Sequence, residues 1–193
     1  MSLGNEVTVS FDSERLILVD AADNEIGSKR KDACHDGDGI LHRAFSAFIF
    51  NNNGELLLQQ RASGKRLWPG YWSNSCCSHP RFGETMDVAV LRRLSQELGI
   101  QAQVEFLYKF QYQAKFGELG SENELCSVFV GRSDDTPKVN SSEIASWRFI
   151  SPQDFSTELS EQPEQFTPWC KMEWQALNSE YNQSLAAFTQ AAT

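Results

Sequence analysis

The 193-residue chain has few of the features that would place it outside the ordinary globular class. It has only three histidines and five cysteines, and its glycines and prolines form no low-complexity linker. No apolar run approaches the roughly 18 residues needed to cross a membrane. The amino terminus lacks the basic start and apolar centre of a signal peptide. We therefore expect no membrane span, and one domain with a sizeable core.

Positive charge is also scarce. The chain has 17 Lys and Arg against 26 Asp and Glu, which gives a formal net charge of −9. Such an acidic protein lacks a global electrostatic footprint for nucleic acid or for an anionic membrane. We expect neither partner, and an anionic ligand would need a local basic pocket.

The cysteines are odd in number and irregular in spacing, which is not typical of a disulfide framework. They are Cys34, Cys76, Cys77, Cys126 and Cys170. The adjacent pair Cys76 and Cys77 could bridge only with strained geometry. Reduced thiols are therefore expected, and with them a cytoplasmic protein.

Strand signals surround one early helix, and helix signals dominate the end of the chain. Strands are predicted at 15–19, 42–50, 55–61, 103–116, 125–132 and 147–150, and helices at 84–98, from 152 onward and at about 168–188. Asn51–Gly54 is a strong hairpin signal because Asn and Gly tolerate positive φ. This order predicts an α+β fold, an α/β/α sandwich in which helices flank a mixed β-sheet. Residues 1–14 are expected to be a flexible segment and residues 15–190 a single domain.

The clearest predicted helix runs from Glu84 to Leu98. Val88, Leu91, Ser95 and Leu98 recur at three- and four-residue spacing and predict its apolar face. Arg93 and Glu97, four residues apart, also share a face, and taken alone they would form an exposed ion pair.

The same segment resembles the Nudix box, G-x5-E-x7-R-E-U-x-E-E-x-G-U. The positions that match are Glu84, Arg92, Leu94, Glu97, Gly99 and Ile100. Three positions depart from it: Ser78 replaces a glycine, and Arg93 and Gln96 replace glutamates. Those glutamates normally gather divalent metal ions for diphosphate hydrolysis. The resemblance thus implies the fold but supports hydrolysis poorly, although Mg²⁺ could still use one carboxylate with substrate oxygens and water.

The histidines and an acidic pair form a second pattern. Two glycines between His35 and His42 favour a loop that can fold one toward the other. Glu122 and Glu124 lie on the same face of a predicted strand. Such a pair could be a solvated edge, but together with three histidines, including His79, it makes a metal site plausible. Nitrogen and carboxylate ligands suit Zn²⁺ or Mn²⁺, and five of them indicate octahedral coordination.

In this order the segments resemble the type I isopentenyl-diphosphate isomerases, the metal-dependent Nudix-fold form. The resemblance covers roughly residues 15–190. It is carried by H-x6-H ending at His42, R-x3-K from Arg61, WPGYWSNSCCSHP from Trp68, the degenerate box, ENELC from Glu122 and TPW ending at Trp169. It implies interconversion of isopentenyl and dimethylallyl diphosphate, small isoprenyl diphosphates of isoprenoid biosynthesis. A proton is added at one end of an allylic system and removed at the other, through a carbocation.

The resemblance also implies the site residues. The catalytic residues would be Cys77, Glu124 and the Tyr112 that hydrogen-bonds this glutamate. One Mn²⁺ or Zn²⁺ would be bound by His35, His42, His79, Glu122 and Glu124, and one Mg²⁺, bridging to the diphosphate, by Glu97 and the backbone carbonyl of Cys77. The diphosphate would be bound by Lys31, Arg61, Lys65 and Arg93, and the carbocation stabilised by Trp169. Cys77 would need thiolate character, which nearby cations would favour, whereas Cys76 would be a buried packing neighbour.

Two other hypotheses stay open at this point. A Nudix diphosphate hydrolase is suggested by the box. A non-catalytic, metal-stabilised interaction domain would use Cys76, Cys77 and the histidines as structural ligands. The sequence leaves the oligomeric state open, with a monomer possible, and makes residues 1–14 and 32–41 candidate lid segments.

Overall fold

The computed structural model describes residues 7–191, so the first six residues of the segment predicted to be flexible lie outside the described range. Within that range nine strands form one sheet. The strands are β1 (Arg15–Val19), β2 (Glu25–Arg30), β3 (His42–Phe50), β4 (Leu56–Arg61), β5 (Trp72–Ser73), β6 (Cys76–Ser78), β7 (Gln103–Lys115), β8 (Ser121–Arg132) and β9 (Ile144–Ile150). The helices are α1 (Lys31–Cys34), α2 (Met86–Arg93), α3 (Pro152–Glu161), α4 (Pro168–Ser179) and α5 (Asn182–Thr189), with a π-helical turn at Leu94–Leu98 and a 3₁₀ turn at Pro163–Gln165.

Strand β3 lies at the centre of the sheet. It runs parallel to β8, starting with the pair His42 and Glu124. It is antiparallel to β6, where Ser46 lies opposite Cys77. The pairs β4–β9 and β7–β8 are antiparallel. The sheet is therefore mixed, and β3 brings β6 and β8 to its two sides.

Alternation along β3 builds two separate cores. Phe48 and Phe50 are fully buried in a cluster with side chains of α3, α4 and α5. Phe45 and Ile49, which point the other way, are buried with side chains of α2. Helices thus cover both faces of the sheet, and the predicted α/β/α sandwich is confirmed.

The early helix differs from its prediction. It begins at Met86 rather than Glu84 and passes into the π-helical turn after Arg93. Val88 is 57% exposed and Leu91 is 48% exposed, so these two do not belong to its buried face. The buried positions instead are Ala89, Val90, Arg93, Leu94, Glu97 and Leu98. A pattern of apolar residues failed here because two members of the buried face are charged.

The helix predicted at about 168–188 is two helices. Glu180 and Tyr181 both donate backbone hydrogen bonds to the Ala176 carbonyl at the break. The Tyr181 ring stacks on Tyr108 with 4.3 Å between ring centroids, which fixes the chain there. The hairpin at Asn51–Gly54 and the helix capped by Ser151 are confirmed. Among residues 7–191, no helix is long and apolar enough to cross a membrane.

Candidate active site

Five buried or nearly buried side chains from four segments meet at the start of β3. His42 opens β3, and its neighbour Glu124 on β8 comes into place through the parallel register. His35 follows α1, His79 follows β6, and Glu122 is two residues before Glu124 on β8. One potential ligand atom from each lies within 4.8 Å of all the others. The structure thus brings together all five residues predicted to bind Mn²⁺ or Zn²⁺.

A glycine allows one of these approaches. Gly120 has φ +145°, and an added Cβ atom would lie 2.2 Å from the carbonyl oxygen of His35. The next residue, Ser121, donates its backbone N–H to the same oxygen at 3.0 Å. The turn before β8 can therefore hold the His35 segment against Glu122 only because residue 120 has no side chain.

The donor atoms of this cluster fit a divalent cation. His42 donates Nδ1–H to the carbonyl of Ile40 at 2.7 Å, which leaves the lone pair of Nε2 free for a metal. Within the described chain, the Nε2 atoms of His35 and His42 and Oε2 of Glu122 are buried without a hydrogen bond. His35 Nε2 and Glu122 Oε2 are only 2.8 Å apart. Converging, unsatisfied nitrogen and oxygen atoms are what a metal site requires.

The protonation states agree with this fit. Burial lowers the pKa of His42 to about 4, and His35 nearby adds to the effect. Burial and the neighbouring histidines hold the pKa of His79 well below its usual value. Neutral imidazole is the form that binds metal. Burial and the charge of Glu122 raise the pKa of Glu124 well above its usual value. A bound cation would offset this by favouring the ionised carboxylate.

The two adjacent cysteines lie on opposite faces of β6. Cys76 pairs with Ala47 and is fully buried in the core beside α2. Cys77 pairs with Ser46 and lines a cavity on the other side of the sheet. The predicted difference between them follows from strand alternation.

The Cys77 thiol is held by polar neighbours. Its Sγ lies 2.8 Å from Asn74 Oδ1 and 3.5 Å from Ser46 Oγ. Trp169 donates its indole N–H to the same sulfur at 3.0 Å. Burial, and next the charge of Glu173, raise the pKa of Cys77. In the protein alone, desolvation outweighs the charge of Arg61 and favours the thiol form. The thiolate character that bound cations would favour stays a prediction.

Glu124 faces both the metal-ligand cluster and a phenol. His79 Nε2 lies 2.9 Å from its Oε1. Tyr112 donates its hydroxyl to Oε2 at 2.6 Å, and this contact is buried. Burial and the charge of Glu124 raise the pKa of Tyr112, so its hydroxyl keeps its proton. The predicted contact between Tyr112 and Glu124 is present.

These groups line one cavity of about 460 Å³ together with cationic side chains. The residues at its wall include the predicted catalytic residues Cys77, Tyr112 and Glu124, the predicted carbocation-stabilising Trp169, and the predicted diphosphate ligands Lys31, Arg61, Lys65 and Arg93. Burial and the charges of Lys65 and Arg93 lower the pKa of Lys31 to about 8. Arg61 lies 5.3 Å from the ring centroid of Trp169, so a protein cation already contacts that ring.

Arg93 and Glu97 form a buried pair and not the exposed one that their spacing alone would indicate. Arg93 is 3% exposed, and its Nη2 lies 2.6 Å from Oε1 of Glu97. Cys76 donates its thiol to the same oxygen at 3.6 Å. The charge of Glu97, the predicted Mg²⁺ ligand, is thus balanced by Arg93. Arg93 itself stands at a Nudix-box position that normally carries a metal-binding glutamate.

Residues 7–14 lie against this cavity. Ser10, Phe11 and Asp12 are at its wall. Lys31 donates its Nζ–H to Ser10 Oγ at 2.5 Å, and Arg93 donates to the carbonyl of Val9 at 2.7 Å. Part of the segment predicted to be flexible therefore touches two predicted diphosphate ligands.

Sequence reasoning missed several polar residues of this site. Asn74 lies within the NSCCSHP segment and contacts Cys77, so its place beside the cysteines was a usable signal. Ser46, Glu143 and Glu173 had none. They come from a core strand, a loop and the broken C-terminal helix. Only tertiary contacts bring Ser46 to Cys77, Glu143 to the cavity wall and Glu173 to Cys126.

Comparison with known proteins is consistent with this geometry. A NUDIX domain model matches residues 40–170. The chain is 48% identical over 163 residues to isopentenyl-diphosphate Delta-isomerase 1 of Photorhabdus laumondii, covering 83% of this chain and 93% of that one. It is 38% identical over 180 residues to isopentenyl-diphosphate Delta-isomerase of Escherichia coli, covering 92% and 98%.

Solved structures resemble the fold. The DR0079 protein of Deinococcus radiodurans is 25% identical with a TM-score of 0.63, covering 77% of this chain and 90% of that one. The MutT protein of Methanosarcina mazei is 19% identical with a TM-score of 0.59, covering 73% and 95%. From the matched domain, the curated relatives and the site geometry, the chain belongs to the Nudix superfamily and, within it, to the isopentenyl-diphosphate Delta-isomerases.

Proposed function

We propose that this protein interconverts isopentenyl diphosphate and dimethylallyl diphosphate, a reaction of isoprenoid biosynthesis. One observation carries the proposal. A single cavity joins a thiol, a carboxyl–phenol pair and five cationic side chains, four of which are the predicted diphosphate ligands. It thus offers one proton-transfer group for each end of an allylic system and a binding site for its diphosphate.

The chemistry requires a strong acid near an apolar chain. An unactivated alkene is a very weak base, so its protonation needs a well-positioned donor in a dry pocket. Glu124 with Tyr112 would add a proton at the terminal carbon, and Cys77 would remove one from C2. The reverse reaction would begin with donation of a proton from the Cys77 thiol, which is the form that burial favours. A forward turnover therefore needs Cys77 as the thiolate and the Glu124–Tyr112 pair protonated, and it ends with Cys77 protonated and the pair deprotonated. Proton exchange with solvent would then restore both groups before the next turnover.

The five-residue cluster would hold the first metal, for which we propose Mn²⁺ or Zn²⁺. When bound, the ion would supply positive charge that fixes the orientation of Glu124 and offsets the two carboxylates. The predicted Mg²⁺ site at Glu97 and the Cys77 carbonyl requires Arg93 to share or release that carboxylate. A metal titration followed by elemental analysis would test for the second site. One ion bound per chain would indicate the five-residue site alone, and two would indicate that the Mg²⁺ site is also filled.

The remaining predicted residues would bind the two ends of the substrate. Lys31, Arg61, Lys65 and Arg93 would bind the diphosphate, which agrees with their shared place at the cavity wall. Trp169 would stabilise the carbocation through its ring. Diphosphate hydrolysis is disfavoured because Arg93 occupies a box position that carries a glutamate in hydrolases.

We also propose that residues 15–190 form one domain and that the protein is cytoplasmic, since all five cysteines are free. The small isoprenyl diphosphate would be its substrate. Size-exclusion chromatography with light scattering would establish the oligomeric state, which could be monomeric.

Turnover in deuterated buffer tests the proposed function. Isopentenyl diphosphate should yield dimethylallyl diphosphate carrying deuterium, without phosphate release. Cys77→Ala should abolish turnover and keep the fold, as measured by circular dichroism. Cys76→Ala is the matched control, because Cys76 lies on the opposite face of the same strand, and it should keep most of the activity. Near-normal turnover by Cys77→Ala, or release of phosphate, would contradict the proposal.

A further inference from the structure

One carboxylate lies among the cations of the cavity and has no part in the proposed reaction. Glu143, the residue before β9, is 3% exposed and lines the cavity wall. Its Oε2 forms an ion pair with Nζ of Lys65 and lies 3.4 Å from Nη2 of Arg93. The Glu143 carboxylate is thus paired with two of the four cations that we assign to the diphosphate.

Main-chain hydrogen bonds hold the residue that carries this carboxylate. Glu143 donates its N–H to the carbonyl of Asn140 at 3.0 Å, and its own carbonyl accepts from Ala62 N–H at 2.9 Å. Ala62 directly follows β4 and lies three residues before Lys65, so Glu143 and its partner cation are held on one rigid frame. Main-chain hydrogen bonds therefore hold the backbone of Glu143 in place, and the contacts with Lys65 and Arg93 orient its carboxylate.

Glu143 is ionised at neutral pH. Burial alone would raise its pKa, but the charges of Lys65 and Arg93 outweigh burial and keep the pKa below its usual value. The carboxylate organises two cations that would otherwise repel each other. A diphosphate entering the cavity would need the N–H donors of Lys65 and Arg93, and it would meet the negative charge of Glu143 beside them.

We propose that Glu143 is an internal anion that competes with the diphosphate for Lys65 and Arg93, weakening its binding and speeding product release. Substrate and product carry the same diphosphate, so tighter binding of that group stabilises both equally. Such uniform binding lowers KM without raising kcat, and it slows the departure of the product. The identity of the anion rests on the proposed function.

Binding of inorganic pyrophosphate to the full chain tests this at pH 7 by isothermal titration calorimetry. Glu143→Gln keeps the size of the side chain and removes the charge, so Kd should fall by about tenfold or more. Glu158→Gln is the matched control. It removes the carboxylate partner of Arg148, a pair outside the cavity, and should leave Kd unchanged. An unchanged or higher Kd in Glu143→Gln would overturn the inference.

Two further measurements separate the possible failures. Glu143→Ala should lower Kd in the same direction, which keeps the inference testable if Glu143→Gln does not fold. In steady-state assays Glu143→Gln should lower KM and the product inhibition constant together. If wild-type protein fails to convert isopentenyl diphosphate while Kd still falls, only the proposed function is wrong. If turnover is normal and Kd does not fall, only the role of Glu143 is wrong.

Discussion

Glu173 should make the stability of this protein depend strongly on pH. It lies on α4 and is fully buried. One carboxyl oxygen accepts from the Cys126 thiol at 3.6 Å, and the other has no hydrogen-bond partner among the described residues. Burial raises its pKa from 4.5 to about 8. The folded protein therefore keeps a proton on Glu173 that the unfolded chain releases.

The sign and size of the effect follow from that difference. Between about pH 4.5 and pH 8 the folded state binds one more proton than the unfolded state, so stability falls as pH rises through this window. Each pH unit costs about 1.4 kcal/mol, which gives about 4 kcal/mol between pH 5 and pH 8. Glu173→Gln cannot ionise and should lose this dependence.

Urea unfolding of wild type and Glu173→Gln at pH 5 and pH 8 measures this pH dependence of the free energy of unfolding. The stability of the variant relative to wild type should increase by about 4 kcal/mol from pH 5 to pH 8, with equal m-values. A packing change caused by the substitution would add the same amount at both pH values, so the change with pH is the diagnostic quantity. Glu164→Gln, at an exposed position, should show no such change. A pH-independent difference would refute the reasoning.

Three further predictions concern the metal-ligand cluster and its neighbours. Chelation of divalent metal should lower the Tm, because Glu122 and Glu124 would be left buried side by side, and added Mn²⁺ should restore it in a thermal scan. Tyr112→Phe removes the 2.6 Å hydrogen bond to Glu124 and should lower kcat with little change in KM, since the hydroxyl faces the carboxyl group; an unchanged kcat would count against its role. Gly120→Ala would place a Cβ 2.2 Å from the His35 carbonyl oxygen and should lower both Tm and bound metal, as measured by elemental analysis.

The sequence by itself predicted the fold class and its main strands and helices, and its resemblance to a family implied the set of metal ligands. The β-rich run at 42–50 predicted the strand that lies at the centre of the sheet, and Asn51–Gly54 marked its hairpin. Period-two alternation placed Glu122 and Glu124 on one face. These features are local, because strand alternation and turn conformation depend on neighbouring residues. The ordered motifs then implied the family, which supplied the roles of Cys77 and Glu124.

Only the tertiary structure decided the electrostatics of the site. Arg93 and Glu97 have the spacing of an exposed pair, yet the sheet and residues 7–14 bury them. Glu143 and Glu173 are ordinary glutamates in the sequence, but one meets two cations and the other meets almost no polar partner. Burial also raises the pKa of Cys77 and so favours its thiol form. Desolvation and charge pairing depend on which segments meet in space, and no local pattern records that.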